Sequence, residues 1–256
     1  MDQNAPDHSE PIIAYPPPPP TFNHQDPKPT STNPSPHHSF DGGVETRIVT
    51  HPGRAFAFEV TFNTANPILV KLAGQKPPLH FHPYQAEYME VLAGRLMVEV
   101  DGHERVLRPE DGEMCVQPWA HHRLYPPALA PGDRDTRTVF LLSGDETPEV
   151  YKLDLVFFTN WYAYQDEVFL RGKRLDLVQV MSMFDAGASY LSLPWWVPFG
   201  RSISRALGIA VGRWIGGLLG YQPFHRKWTL DWETACQRME TTMFQRRFAD
   251  RRAKED

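Results

Sequence analysis

The sequence predicts a mainly β fold, a closed barrel or double-sheet jelly roll, followed by a helical extension and preceded by a disordered proline-rich tail. Three observations predict it. Eleven of the 25 prolines lie in the first forty residues, including the unbroken run Pro16 to Pro20. Between about Val44 and Ser143 the chain breaks into short β-branched and aromatic runs separated by Gly, Pro or Asp. After Ser143 the apolar spacing shifts from a period of two toward that of a helix. The boundaries that follow are a tail over 1–42, a barrel over 43–145 and a helical extension over 146–256.

In the tail, Pro, Ser, Thr, Asn and Asp outnumber large apolar side chains, so little burial is available to offset the entropy of ordering. The barrel strands are read as AFAFEVTF (55–62), ILVKL (68–72), YMEVL (88–92), RLMVEV (95–100), ERVLR (104–108), EMCVQ (113–117) and TRTVFLL (136–142). Leu96, Val98 and Val100 alternate with Arg95, Met97 and Glu99, which turns one apolar face inward, and Asp101-Gly102 follows as a two-residue hairpin turn. Residues 152–185 suit one or two helices, and 228–249 read as a further amphipathic helix.

Composition excludes several classes of function. A net charge of −5 gives no pull toward nucleic acid, whose partners carry a concentrated basic surface. Two distant cysteines, Cys115 and Cys236, build neither a disulfide framework nor a thiolate zinc site. The opening MDQNAPDHSE lacks the charged and apolar regions of a signal peptide, so the expected location is the cytoplasm.

One stretch of the extension departs from this. Residues 186–230 contain no Asp or Glu but carry Arg201, Arg205, Arg213, Arg226 and Lys227. On a helical wheel Phe199, Ile203, Leu207, Trp214 and Leu218 share one face, and Arg201, Arg205, Gly208, Gly212 and Gly216 line the other. Packing of the apolar face on the barrel or on a second subunit, as in a homodimer, is the expectation, with the glycine row allowing close approach of another helix. Peripheral membrane contact through residues 195–219, led by Trp195 and Trp196, is the alternative.

The chemistry concentrates in Gly74, five residues, His80-Phe-His82, four residues, Glu87, six residues, Gly94. On a strand His80 and His82 project to the same face, so two imidazoles converge on one ion, and Glu87 offers an oxygen ligand after a short turn. A fourth ligand has to come from a distant strand, and His121 or His122 in VQPWAHHRLYPP supplies it. Three imidazoles and a carboxylate suit a divalent metal ion, Fe(II) or Mn(II) first and Ni(II) or Zn(II) as alternatives.

This spacing resembles the first motif of the cupin superfamily, G-x5-H-x-H-x4-E-x6-G, at every fixed position. Set against the second motif, PWAHHR places His122 on the family's histidine, with Trp119 where the turn glycine is usual and Pro126 where the terminal Asn is usual. The lead-in HFHPYQ, the segment LPWW and LLGYQP look like single-domain cupin-2 proteins of bacteria and fungi with a helical C-terminal extension. The resemblance implies a cupin double-stranded β-helix and a metal-dependent oxidoreductase, oxygenase-like, acting on a small, largely apolar oxygenated metabolite, as in secondary metabolism. A cupin isomerase, cyclase or decarboxylase on a polyketide or terpenoid intermediate, or a non-catalytic small-molecule-binding cupin, is the alternative.

Overall fold

In the computed structural model, which describes residues 30–31, 36–128 and 136–253, the strands form two antiparallel sheets. In chain order they are β1 Thr30–Ser31, β2 His37–Ser39, β3 Val44–Thr50, β4 Arg54–Asn63, β5 His80–Phe81, β6 Glu87–Ala93, β7 Leu96–Val100, β8 His103–Leu107, β9 Glu113–Val116, β10 His122–Tyr125, β11 Arg137–Asp145 and β12 Tyr190–Leu191. One sheet runs β1-β3-β4-β11-β6-β9, with β2 also on β3, and the other runs β12-β5-β10-β7-β8. Phe58, Met89 and Phe140 from the first sheet meet Leu96 and Val98 from the second in one buried cluster. This is the jelly-roll barrel that the alternating runs predict.

The hairpin between β7 and β8 follows its sequence signal. Asp101 and Gly102 both take positive φ, 47° and 82°, the conformation a two-residue turn needs to match the strand twist, and Val100 pairs with His103 across it.

Three segments differ from expectation. ILVKL is not a strand but lies in helix α1, Pro67–Leu72, because Asn66 accepts the Ile68 amide at 2.8 Å as N-cap and Pro67 is pre-set for a first helical position. Residues 37–39, expected within the disordered tail, form β2 on β3, and Phe40 behind them is buried against Phe169. The tail's proline run lies outside the described residues. The expected helix over 228–249 is shorter: Thr241, a β-branched residue, ends it and turns its hydroxyl back on the Arg238 carbonyl at 2.7 Å.

The extension contributes α2 Leu155–Phe169, α3 Leu177–Ala186, α4 Gly200–Leu207, α5 Gly216–Leu219 and α6 Trp232–Glu240. Asp154, Asp176 and Asp231 cap α2, α3 and α6 with their carboxylates. Phe157 and Phe158 of α2 join the barrel core, the Phe158 ring 4.8 Å from Phe56. Gln85 ties the two parts together: its amide nitrogen reaches the Asp145 and Leu153 carbonyls at 2.8 and 3.1 Å, and its oxygen accepts the Leu153 amide at 2.7 Å.

A π-helical stretch over Gly208–Ile215 joins α4 to α5, so residues 200–219 are continuously helical. This element packs on α3 through the glycine row, not through its apolar side chains. A Cβ at Gly212 would stand 2.4 Å from the Met181 carbonyl oxygen, and one at Gly208 would stand 2.6 Å from the Tyr190 ring. Among the described residues no helix is long and apolar enough to cross a membrane.

Candidate metal centre

His80 and His122 are direct partners across the β5–β10 ladder, and His82 follows two positions after His80 on the same face. The ladder therefore sets the three rings 4.5 to 4.9 Å apart between centroids. One ring nitrogen from each lies within 4.8 Å of the others, a group able to hold a metal ion. Glu87 opens β6 in the facing sheet and reaches across, its Oε2 3.0 Å from His122 Nε2. Three of the four residues read from sequence thus form one group, and Glu87 meets it through His122.

Of the two candidates, His122 faces His80 and His82 and His121 does not. His121 lies on the other side of the strand, with Nδ1 2.6 Å from the Ser192 hydroxyl and its ring edge-on to Phe81. Phe81, between the two histidines, is fully buried on that opposite face and stacked on Trp119. Trp119 replaces the turn glycine yet takes φ of 70°, the left-handed conformation glycine would supply. Gly94, the last motif glycine, has φ of 75°, and a Cβ there would stand 2.3 Å from the Arg137 carbonyl oxygen.

The donor set fits a bound cation. His80 Nδ1 lies 3.1 Å from the Pro78 carbonyl and His122 Nδ1 2.9 Å from the Ala120 carbonyl, which fixes the proton on Nδ1 and leaves Nε2 facing inward on each. Neither ring nitrogen of buried His82 makes a well-formed hydrogen bond among the described residues, although the Ala188 backbone interacts with the ring. Burial and the neighbouring His122 pull the His80 pKa down to about 3 and the His82 pKa well below its ordinary value, so both rings are neutral, the form that binds metal. Burial disfavours the His122 cation as well, but the Glu87 carboxylate beside it holds the pKa above the ordinary value.

His80, His82 and Glu87 line a cavity of about 720 Å3, a volume suited to a small organic molecule. Its walls are mainly apolar, with Leu142, Leu153, Phe157, Phe158, Trp161 and Phe184 among them. Two polar groups on α2, three residues apart on one helix face, also line it. Burial and the Glu87 charge raise the Tyr162 phenol well above its ordinary range, so it remains a proton donor. The Gln165 amide oxygen is buried without a hydrogen-bond partner among the described residues.

Sequence reasoning missed Tyr162 and Gln165; the signal was a polar pair at helical spacing within an otherwise aromatic stretch. Tyr84 and Gln85, in the turn after His82, serve the junction with the extension, Tyr84 accepting from Arg205 at 2.5 Å.

A jelly-roll barrel with inward histidines from one sheet and a carboxylate from the other is the architecture of a cupin. The chain belongs to a family of fungal proteins, and its barrel and histidine motif resemble those of the cupins. It is 46% identical over 220 residues to "Probable oxidoreductase yanE" of Aspergillus niger, covering 84% of each chain. It is 45% identical over 223 residues to "Oxidoreductase macE" of Penicillium terrestre, covering 84% of this chain and 85% of that one. With "Epoxidase atD" of Aspergillus terreus it shares 38% over 209 residues, 78% of this chain and 64% of that one. Among solved structures, KdgF from Halomonas sp. aligns with 46% of this chain and 94% of its own at 22% identity and a TM-score of 0.32. No family model matches.

Proposed function

We propose that this protein is a metal-dependent cupin oxidoreductase, oxygenase-like, that acts on a small, largely apolar oxygenated metabolite. The observation that carries the proposal is the convergence of three imidazoles, two of which, His80 and His82, line an apolar cavity. The names of the fungal relatives, oxidoreductases and an epoxidase, support the reaction class.

In this reading His80, His82, Glu87 and His122 hold a divalent ion, Fe(II) or Mn(II) before Ni(II) or Zn(II). Such an ion supplies Lewis acidity and, for iron or manganese, one-electron chemistry. The chain does the rest. The Leu and Phe walls exclude water and bind the hydrocarbon part of the substrate. Tyr162 donates a hydrogen bond to a substrate oxygen, and the unpartnered Gln165 amide oxygen accepts one from a substrate hydroxyl. Together they orient an oxygenated substrate toward the histidines.

Elemental analysis of purified wild type and His82→Ala tests the metal. The expected result is stoichiometric iron or manganese in the wild type and loss of it in the variant; a wild type that takes up none of Fe, Mn, Ni or Zn on reconstitution rejects the reading. Oxygen uptake with candidate small oxygenated substrates then separates an oxygenase from an isomerase, which consumes none.

A further inference from the structure

The glycine row that docks residues 200–219 on α3 turns the apolar face of the same helix outward. Trp195, Trp196 and Phe199 are 95%, 68% and 84% exposed, and Trp214, Leu218 and Leu219 are each more than half exposed. Nine of the twenty exposed large apolar side chains among the described residues fall within 195–219, so the exposure is one patch rather than scatter. Phe199 is held there at φ of 55°, a left-handed conformation costly for a bulky residue, at the very start of α4. At the other end Met243 is 72% exposed beside this helix, because residues 244 and 245 pack against Gly217.

The charge within the segment is positive, with the acidic Asp101 only at its edge. No Asp or Glu occurs from residue 186 to 230. Arg201 borders the N-terminal end, paired with Asp101 at its edge. Exposed Arg246 and Arg247 border the C-terminal end, the latter also donating to the Leu218 carbonyl at 3.0 Å. A symmetric contact with a second copy would set this acid-free strip against itself and bring like charges together. A headgroup layer of anionic phospholipid meets both properties at once: negative charge for the arginines and an acyl boundary for the rings.

We propose that this face docks the protein on an anionic phospholipid bilayer, with residues 200–219 lying in the plane of the interface and Trp195, Trp196 and Phe199 inserted at headgroup depth. Helix and side chains are already in place, so binding requires no unfolding. The inference does not depend on the reaction proposed for the cavity.

Flotation of the full-length protein with phosphatidylcholine vesicles, with and without phosphatidylserine, tests it. The wild type is expected to float with the phosphatidylserine vesicles, to be released by high salt, and to shift its tryptophan emission to shorter wavelength on binding. Trp195→Ser combined with Phe199→Ser should weaken binding by about tenfold or more per side chain, because each loses an apolar burial. Arg246→Glu should weaken it only for the anionic vesicles. All three positions are exposed, so the fold is retained, which far-UV circular dichroism checks. Failure to float with either vesicle overturns the proposal, as does flotation that the Trp195 and Phe199 substitutions leave unchanged. A concentration-dependent dimer that the same substitutions dissolve, without vesicle binding, assigns the face to self-association instead.

Discussion

His122 presents Nε2 to Glu87 Oε2 at 3.0 Å while its Nδ1 is engaged by the Ala120 carbonyl 2.9 Å away. With Nδ1 engaged, Nε2 and the carboxylate share either a proton, which Glu87 favours by raising the His122 pKa, or a cation that takes its place. Glu87→Gln removes the charge and keeps the shape. Affinity for Fe(II) or Mn(II) should therefore fall by about 10- to 100-fold, measured by competition with a chromogenic chelator. His121→Ala, on the far side of the strand, should leave the affinity unchanged.

Tyr162 and Gln165 face the cavity from α2, outside the group of metal-binding side chains. If they orient the substrate, Tyr162→Phe should retain a full metal complement and lose about tenfold in kcat/KM, the scale of one neutral hydrogen bond in a dry site. Gln165→Leu should raise KM for hydroxylated substrates while sparing analogues that lack the hydroxyl. Metal analysis alongside steady-state kinetics separates these effects from loss of the ion.

The barrel and its histidines were legible because a strand's period of two and a hairpin's Asp-Gly are local signals, carried by residues adjacent in sequence. What was not legible is contact between distant segments. The pairing of β12 with β5, Tyr190 opposite Phe81, joins residues more than a hundred positions apart and leaves no periodic trace. The strand expected at 68–72 shows a limit of apolar runs, since Asn66 and Pro67 just before it decide the outcome. Residues 200–219 show another: apolar side chains on one face suggest burial there, but glycine lets backbone meet backbone at Met181, and the closer contact prevails.

That contact predicts a stability effect. A Cβ at Gly212 would meet the Met181 carbonyl oxygen at 2.4 Å and the Ser182 nitrogen at 2.8 Å, both backbone atoms of α3 that cannot swing aside. Gly212→Ala should destabilise the protein by about 1 to 3 kcal/mol, with Tm falling about 2 to 4 °C per kcal/mol in a chain of this size. At Gly200 a Cβ would meet nothing closer than the Leu193 Cβ at 3.7 Å. Gly200→Ala should be neutral or slightly stabilising, and calorimetry of both variants against wild type checks the contrast.

His225 gives the fold a dependence on pH that is independent of the metal centre. Its ring stands 4.4 Å from Trp228 and its Nδ1 lies 3.0 Å from the Gln222 amide nitrogen. Burial, with Lys227 and Lys173 adding to it, pulls the pKa from 6.5 down to about 4. The unfolded chain therefore takes up this proton first as the medium is acidified, so the contribution to stability is complete above pH 6.5 and is lost as the pH falls through 4. The loss attributable to this residue should be about 1 to 3 kcal/mol, given that the ring is only partly screened from water. His80 and His82 shift in the same direction, so the test compares wild type with His225→Gln under one metal condition. The variant should lose less stability than wild type between neutral pH and pH near 4, measured by urea unfolding. Equal losses in the two proteins would remove His225 as a source of the acid sensitivity.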